Sequence, residues 1–279
     1  MDLGAAGLIE QPFPTHGKPL AVVTYQSQRD ALEVLRETLE HPTGLSLLQG
    51  PALSGKSVLV RSFRDSIDEE HATAIVDGKG LNTTNLLLAI LRNFGYELDL
   101  SSANELLGLI RVFALQQATS GTPPLIIIEH AHELNPSGLR ALCELAELRT
   151  RSGSALKIVL LSERSLSSMV EAPAMQAIAK RVLHDFHLRP MSAEETRDYL
   201  YEKLTAAGAE YPSFIFPKAV CDELWRASGG WPGILDRVAL LALARAEELP
   251  VRTDSIEHAA LPNGTWDDTV INELPESSG

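Results

Sequence analysis

Residues 45–57 read LSLLQGPALSGKS, a short apolar run followed by the spacing G-x-x-x-x-G-K-S. The SVLVRSF segment at 57–63 then has helical character. A glycine-bounded turn between a strand and a helix directs backbone N–H groups and the helix N-terminus at one spot, where an anion binds. The pattern therefore predicts a phosphate-binding loop. Its predicted binding residues are Gly50, Pro51, Ala52, Leu53, Ser54, Gly55, Lys56, Ser57 and Val58.

Two side chains of this loop have predicted chemical roles. Lys56 is expected to reach the β- and γ-phosphates of a nucleotide, and the Ser57 hydroxyl is expected to ligate Mg²⁺. The alternative is a glycine- and serine-rich turn that precedes a helix and binds nothing. Because every fixed position of the motif is filled in the required strand–turn–helix context, the phosphate loop is the preferred interpretation.

Apolar runs that predict strands alternate with stretches of helical periodicity up to about residue 188. The runs are continuous, as in LIIIE at 125–129, which is typical of a parallel sheet covered on both faces. Asn135 followed by Pro136 predicts the start of a helix that runs to about residue 149. We therefore predict an α/β fold, a parallel P-loop sheet sandwiched by helices. The predicted strands are 45–49, 73–76, 125–129, 157–161 and 182–188, and the predicted helices are about 27–40, from 56 onward, 83–94, 102–118, 135–149 and 165–181.

Only helices are predicted after residue 190, at about 192–207, 217–228 and 233–247. Ser192 with Glu195, and earlier Ser102 with Glu105, have the spacing of capping boxes. We predict four segments, which are an irregular lead-in, a P-loop nucleotide-binding domain, a small all-helical domain and an acidic disordered tail. Their boundaries are 1–20, 21–190, 191–261 and 262–279.

Composition narrows the classes of function. The 279 residues carry a net charge of −13, and residues 191–279 hold 16 acidic and 7 basic side chains. Because DNA binding draws on Lys and Arg that neutralise phosphates, this balance argues against a dedicated DNA binder. We see neither a signal peptide nor a membrane-length apolar run. Two distant cysteines, Cys143 and Cys221, fit reduced thiols, and we expect a cytoplasmic protein without direct membrane insertion.

The strand LIII at 125–128 ends in Glu129 and His130. A P-loop ATPase usually has an acid at this place that organises Mg²⁺, so Glu129 is a predicted metal and catalytic residue. The alternative is an edge acid without a ligand role. His130 stands where a water-activating acid is expected, and an imidazole matches that role poorly. Loss of a general base lowers turnover by about 10²–10⁴ and leaves binding intact.

Several motifs in order resemble the AAA+ ATPases of the ExeA/GspA type, linked to general secretion, and more broadly the transposition regulators and origin-recognition ATPases. The resemblance covers about residues 22–250. It implies a helical lid, ATP or ADP with Mg²⁺, a homo-oligomer or AAA+ partner, an envelope-assembly partner, and a catalytic Arg181 offered to a neighbouring subunit. The motifs are GPALSGKS, LIIIEHAHEL, LKIVLLSERSL, AIAKRV, FHLRPMSAEETRDYL and SGGWPGILDRV.

The sequence departs from this family's pattern at four positions. Glu129 and His130 replace an Asp and a Glu. Glu163 stands where a neutral polar residue is expected, unless Ser162 takes that role. Gly233 replaces the lid arginine, for which Arg237, one turn later, is the candidate substitute. These departures imply slow or lost hydrolysis, whereas the intact phosphate loop implies that nucleotide is still bound.

Three functions remain open at this stage. The first is an ATPase switch or scaffold in envelope or secretion-system assembly. The second is a DNA-associated ATPase regulator of the transposition type, for which Arg140, Arg149 and Arg151 would line a ring interior from one helical region. The third is a nucleotide-binding interaction module without hydrolysis.

Overall fold

A computed structural model describes most of the chain, and it divides into two compact units. The first, the sheet unit, is Thr24–Pro190, and the second, the helical unit, combines Met1–Val23 with Met191–Gly279. The predicted tail and most of the predicted helix at 165–181, including Arg181, lie outside the described residues. The described ranges are 7–14, 20–68, 70–98, 102–166 and 182–257.

The sheet unit is built on five parallel strands in the order β2-β3-β6-β1-β7. The strands Leu45–Gln49 and Lys157–Ser162 are buried along their whole length, as expected for parallel strands covered on both faces. The edge strand Val182–His187 is only partly buried. This confirms the predicted fold class. The strands are β1 (Leu45–Gln49), β2 (Thr73–Asp77), β3 (Leu125–Glu129), β4 (Arg149–Thr150), β5 (Gly153–Ser154), β6 (Lys157–Ser162) and β7 (Val182–His187).

Helices flank this sheet, and their apolar faces complete its core. The helix that begins at Pro136 is capped by Asn135, whose Oδ1 accepts from the Gly138 amide at 2.6 Å, as predicted. It ends at Ala146 and not near 149, because the chain turns there into the β4–β5 hairpin. The helices are α1 (Gln26–Glu40), α2 (Lys56–Ser66), α3 (Thr83–Asn93), α4 (Ala103–Thr119) and α5 (Pro136–Ala146).

The helical unit contains two short helices that the sequence pattern did not predict, α7 and α10. Its first helix has the predicted capping box, with Ser192 N donating to Glu195 and Glu195 N donating to Ser192. The box predicted at Ser102 is wrong, because that side chain makes no capping hydrogen bond. The helices are α6 (Ala193–Ala206), α7 (Pro212–Ile215), α8 (Lys218–Ser228), α9 (Pro232–Arg245) and α10 (Asp254–Glu257).

A buried ion pair connects α6 to α9. Lys203 Nζ lies 2.5 Å from Asp236 Oδ2, and the Tyr199 hydroxyl donates to Asp236 Oδ1 at 3.0 Å. Burial raises the pKa of Asp236, although Lys203 and Tyr199 oppose the shift. The Lys203 ammonium also lies 5.9 Å from the ring centre of Phe13, which stacks on Phe216. The N-terminal segment is thus packed into the helical unit.

The described residues include no helix that is both long enough and apolar enough to cross a lipid bilayer.

We predict that Gly230→Ala destabilises the helical unit far more than Gly229→Ala does. Both glycines have positive φ, at 76° and 59°. A Cβ at Gly230 would lie 2.3 Å from Met191 O, whereas one at Gly229 meets only Trp231 Cδ1 at 3.8 Å. Gly229→Ala should cost about 1–2 kcal/mol and Gly230→Ala about 3 kcal/mol or more.

Urea unfolding followed by tryptophan fluorescence measures this difference, because all three tryptophans of the sequence lie beyond residue 190. Equal losses in the two variants would contradict the close contact at Met191.

Candidate nucleotide-binding site

The loop between β1 and α2 has the backbone geometry of an anion cradle. Gly55 caps α2 in the left-handed region at φ 88°, and Leu53 also has a positive φ of 62°. These two residues turn the chain sharply, so that α2 begins at Lys56 directly after the turn. The N-terminus of α2 carries the free N–H groups and positive dipole end that attract phosphate.

Gly50 fits closely where the loop leaves the sheet. Its amide donates to Ser162 O on β6 at 3.0 Å. A Cβ at this position would lie 3.0 Å from Ser54 Oγ and 3.1 Å from Leu188 Cβ, so a larger side chain would displace a neighbour. The glycine is therefore needed for close packing at the start of the loop.

The Lys56 side chain folds back inside the loop. Its ammonium donates to Gly50 O at 2.7 Å, to Pro51 O at 2.8 Å and to Ser54 Oγ at 3.3 Å. Burial lowers the pKa of Lys56, and the nearby carboxylates of Glu163 and Glu129 oppose this. The loop thus holds a cation beside its own N–H groups, and two acids lie within electrostatic range of it.

Glu129 lies at the end of β3, and one of its carboxylate oxygens, Oε1, is buried with no hydrogen-bond partner among the residues that the structure describes. Because a buried carboxylate oxygen without a partner is costly, this atom fits a cation ligand. Ser57, half-buried in the first turn of α2, offers the second protein oxygen. Within the described ranges no three His, Cys, Asp or Glu side chains form a metal cluster. One carboxylate, a hydroxyl, substrate phosphates and water suit Mg²⁺.

His130 adopts the left-handed conformation, φ 52°, and is bonded to a neighbouring strand. Its Nδ1 lies 2.7 Å from Asp77 Oδ1 at the end of β2, and its Nε2 lies 3.9 Å from Glu163 Oε1. Although partial burial acts in the opposite direction, the Lys79 amide and His130 lower the pKa of Asp77. Asp77 was missed by the sequence reasoning, although it directly follows the predicted strand at 73–76 and is the last residue of β2.

The end of β6 presents an acid to the site in place of a neutral side chain. The Ser162 hydroxyl donates to Arg164 O and accepts from Arg164 N. Both hydrogen bonds lie within the turn that follows β6. The Glu163 amide donates to His132 Nδ1 at 3.4 Å. Ser162 therefore does not take the role of the neutral polar residue, and Glu163 is the strand-end side chain next to the loop.

A buried glutamine, also missed by the sequence reasoning, connects the loop to its surroundings. Gln49 Oε1 accepts from the Leu166 amide at 2.9 Å, and its Nε2 donates to Asp185 and lies 3.3 Å from His187 Nε2. Gln49 immediately precedes Gly50, so these bonds hold the start of the loop between the β6 turn and β7.

The other predicted site residues belong to the helical unit or are not described. Gly233 and Arg237 lie in the first turns of α9 in the helical unit, and Arg181 falls outside the described residues. The three arginines considered for DNA do not share one helix. Arg140 is on α5, Arg149 donates to Pro42 O from β4, and Arg151 lies in the hairpin turn.

Comparisons with known proteins agree with this geometry. Residues 39–170 match the family model of the AAA domain. The chain is 30% identical over 271 residues to the general secretion pathway protein A of Aeromonas hydrophila, an alignment that covers 93% of this chain and 49% of that protein. The chain therefore spans about half the length of this curated relative.

Solved structures share the fold at low sequence identity. Cdc6p from Pyrobaculum aerophilum superimposes with a TM-score of 0.70 at 15% identity, covering 97% of this chain and 76% of that one. The ORC2 protein of Aeropyrum pernix gives 0.66 at 14% identity, covering 96% and 76%. The matched domain, the similarity to general secretion pathway protein A and this shared fold confirm the predicted resemblance, and the chain shares its fold with these solved structures.

Proposed function

We propose that the chain binds ATP and ADP with Mg²⁺ in the loop at 50–58 and acts as a nucleotide-dependent switch or scaffold with slow ATP hydrolysis. The observation that carries this proposal is the Lys56 ammonium held inside the strand–turn–helix loop. The loop amides and Lys56 bind the phosphates. Ser57 and Glu129 hold Mg²⁺, which supplies charge neutralisation on the phosphate oxygens.

Slow turnover follows from the group that replaces the water-activating acid. His130 is engaged by Asp77 at 2.7 Å, and Glu163 on its other side adds negative charge near the phosphates. Residue 130 is thus an imidazole that already contacts one carboxylate, and it is not itself a carboxylate that could accept a proton from the attacking water. We assign Arg181, together with Lys56 and Glu129, to the catalytic set, with Arg181 serving a neighbouring subunit's nucleotide.

The proposed setting is cytoplasmic, as a homo-oligomer or with an AAA+ partner, in envelope or secretion-system assembly. Its support is the similarity to general secretion pathway protein A. A DNA-associated role has less support, because the three arginines considered for it lie on different elements and Arg149 is bonded to Pro42 O. The third function, an interaction module that binds nucleotide without hydrolysis, differs from this proposal only in that its turnover is zero.

We predict that Glu129→Gln abolishes most of the gain in ADP affinity that Mg²⁺ provides, while ADP binding in excess chelator is unchanged. The amide removes the charge that a hard cation requires. Asp77→Asn is the matched control, because Asp77 is the register partner of Glu129 on β2 but is bonded to Lys79 N and His130.

Calorimetric titration with ADP, with and without Mg²⁺, measures this effect. An Mg²⁺ dependence that is unchanged in Glu129→Gln, or equally lost in Asp77→Asn, would remove Glu129 from the metal site.

We predict that placing a carboxylate at residue 130 accelerates ATP hydrolysis. The double variant Asp77→Asn/His130→Glu introduces the acid and removes the negative charge of Asp77 beside it. Turnover should rise about tenfold or more, part of the 10²–10⁴ that a general base contributes. Asp77→Asn alone is the control and should stay slow. Steady-state phosphate release measures all three proteins, and a double variant no faster than the control would show that residue 130 does not limit turnover.

A further inference from the structure

The acid at the end of β6 lies beside the first residue of the phosphate loop. Strands β1 and β6 are neighbours, with Gln49 in register with Ser162, and the Gly50 amide donates to Ser162 O at 3.0 Å. Glu163 is the next residue along β6. Backbone pairing in the sheet therefore fixes its position relative to the loop, and about a third of its side chain is exposed.

The Glu163 carboxylate faces the ligand side of this edge. Its Oε1 lies 3.9 Å from His130 Nε2, and the His130 ring is itself held by Asp77 at 2.7 Å. Among the charged groups that act on the buried Lys56 ammonium, Glu163 has the largest effect and Glu129 the next. Two negative charges thus flank the cation that the phosphates need.

The two acids differ in what can compensate their charge. Glu129 has a buried oxygen without a partner, which suits it to a metal ligand, so bound Mg²⁺ would offset its charge. Within the described residues Glu163 has no buried oxygen that lacks a partner, so nothing marks it as a second metal ligand. Ser162, the other polar side chain at this strand end, is hydrogen-bonded to Arg164 and offers the ligand no donor.

We propose that Glu163 makes this loop select a nucleoside diphosphate over a triphosphate. The inference rests on the proposed nucleotide binding and names the preferred ligand. The loop amides cradle the α- and β-phosphates, whereas a γ-phosphate extends past Lys56 towards the acids. The triphosphate brings additional negative charge to that place, where the uncompensated carboxylate of Glu163 repels it. The diphosphate ends before that place and is not repelled in this way.

The test is a set of calorimetric titrations of the full chain with ADP and with adenylyl imidodiphosphate, both with Mg²⁺. Wild type should bind the triphosphate analogue about tenfold more weakly than ADP, as a unit charge at a partly buried site would produce. In Glu163→Gln this ratio should fall about tenfold, mainly through tighter binding of the analogue. Glu133→Gln, an acid 4.0 Å from His132 on the adjoining turn, is the matched control and should keep the wild-type ratio.

A second readout needs no variant. Because Glu163 is partly exposed, salt screens its charge. Raising the salt concentration from about 0.05 M to about 0.5 M should therefore reduce the ratio of the wild-type affinities for ADP and for the analogue. A ratio that is unchanged in Glu163→Gln, a wild type that prefers the triphosphate analogue, or a salt-independent preference would overturn the proposal. If wild type binds ADP and the analogue with equal affinity, this inference fails but the proposed nucleotide binding stands. If wild type binds neither, the proposed function fails with it.

Discussion

The hydrogen bonding of β1 to β6 holds the phosphate loop next to the acid that follows β6. It places the Gly50 amide on Ser162 O, so the start of the loop and the turn after β6 are held at a fixed separation. Because all five strands run parallel, their carboxyl ends meet at one edge of the sheet, where ligands of open α/β folds bind. The loop lysine, the acid that ends β3 and the acid that follows β6 therefore converge, although more than a hundred residues separate the first from the last.

This convergence places positive and negative groups together in the phosphate-binding site. The ammonium of Lys56 and the helix end of α2 attract phosphate, while the carboxylates of Glu129 and Glu163 oppose it. A divalent cation held at Glu129 would offset that residue's charge and strengthen the attraction of the site for phosphate. The group that would activate water is an imidazole engaged by Asp77. The proposal therefore assigns retention of the nucleotide to the loop and the slow rate of hydrolysis to the imidazole at residue 130.

Local sequence patterns predicted much of this arrangement, but they did not predict contacts between residues that are far apart in the sequence. The phosphate loop, the buried strands and the Asn135 cap follow from short-range rules, since glycine freedom, continuous apolar runs and capping act within a few residues. The pairing of Asp77 with His130 joins residues 53 apart and depends on a left-handed backbone at His130. Likewise, nothing in the irregular N-terminal segment indicates that Phe13 stacks on Phe216, because that contact exists only once the helices have packed.

The central claim is that the turn after β1 binds a polyphosphate through its amides and Lys56. Calorimetry with ADP on wild type and Lys56→Ala tests it most directly, with Lys79→Ala as a control for an exposed lysine at the same sheet edge. The account predicts that Lys56→Ala weakens ADP binding about 10- to 100-fold, as expected for loss of a charged hydrogen-bond donor, while Lys79→Ala binds normally. Equal affinity in wild type and Lys56→Ala, or no heat from ADP with wild type, would contradict it.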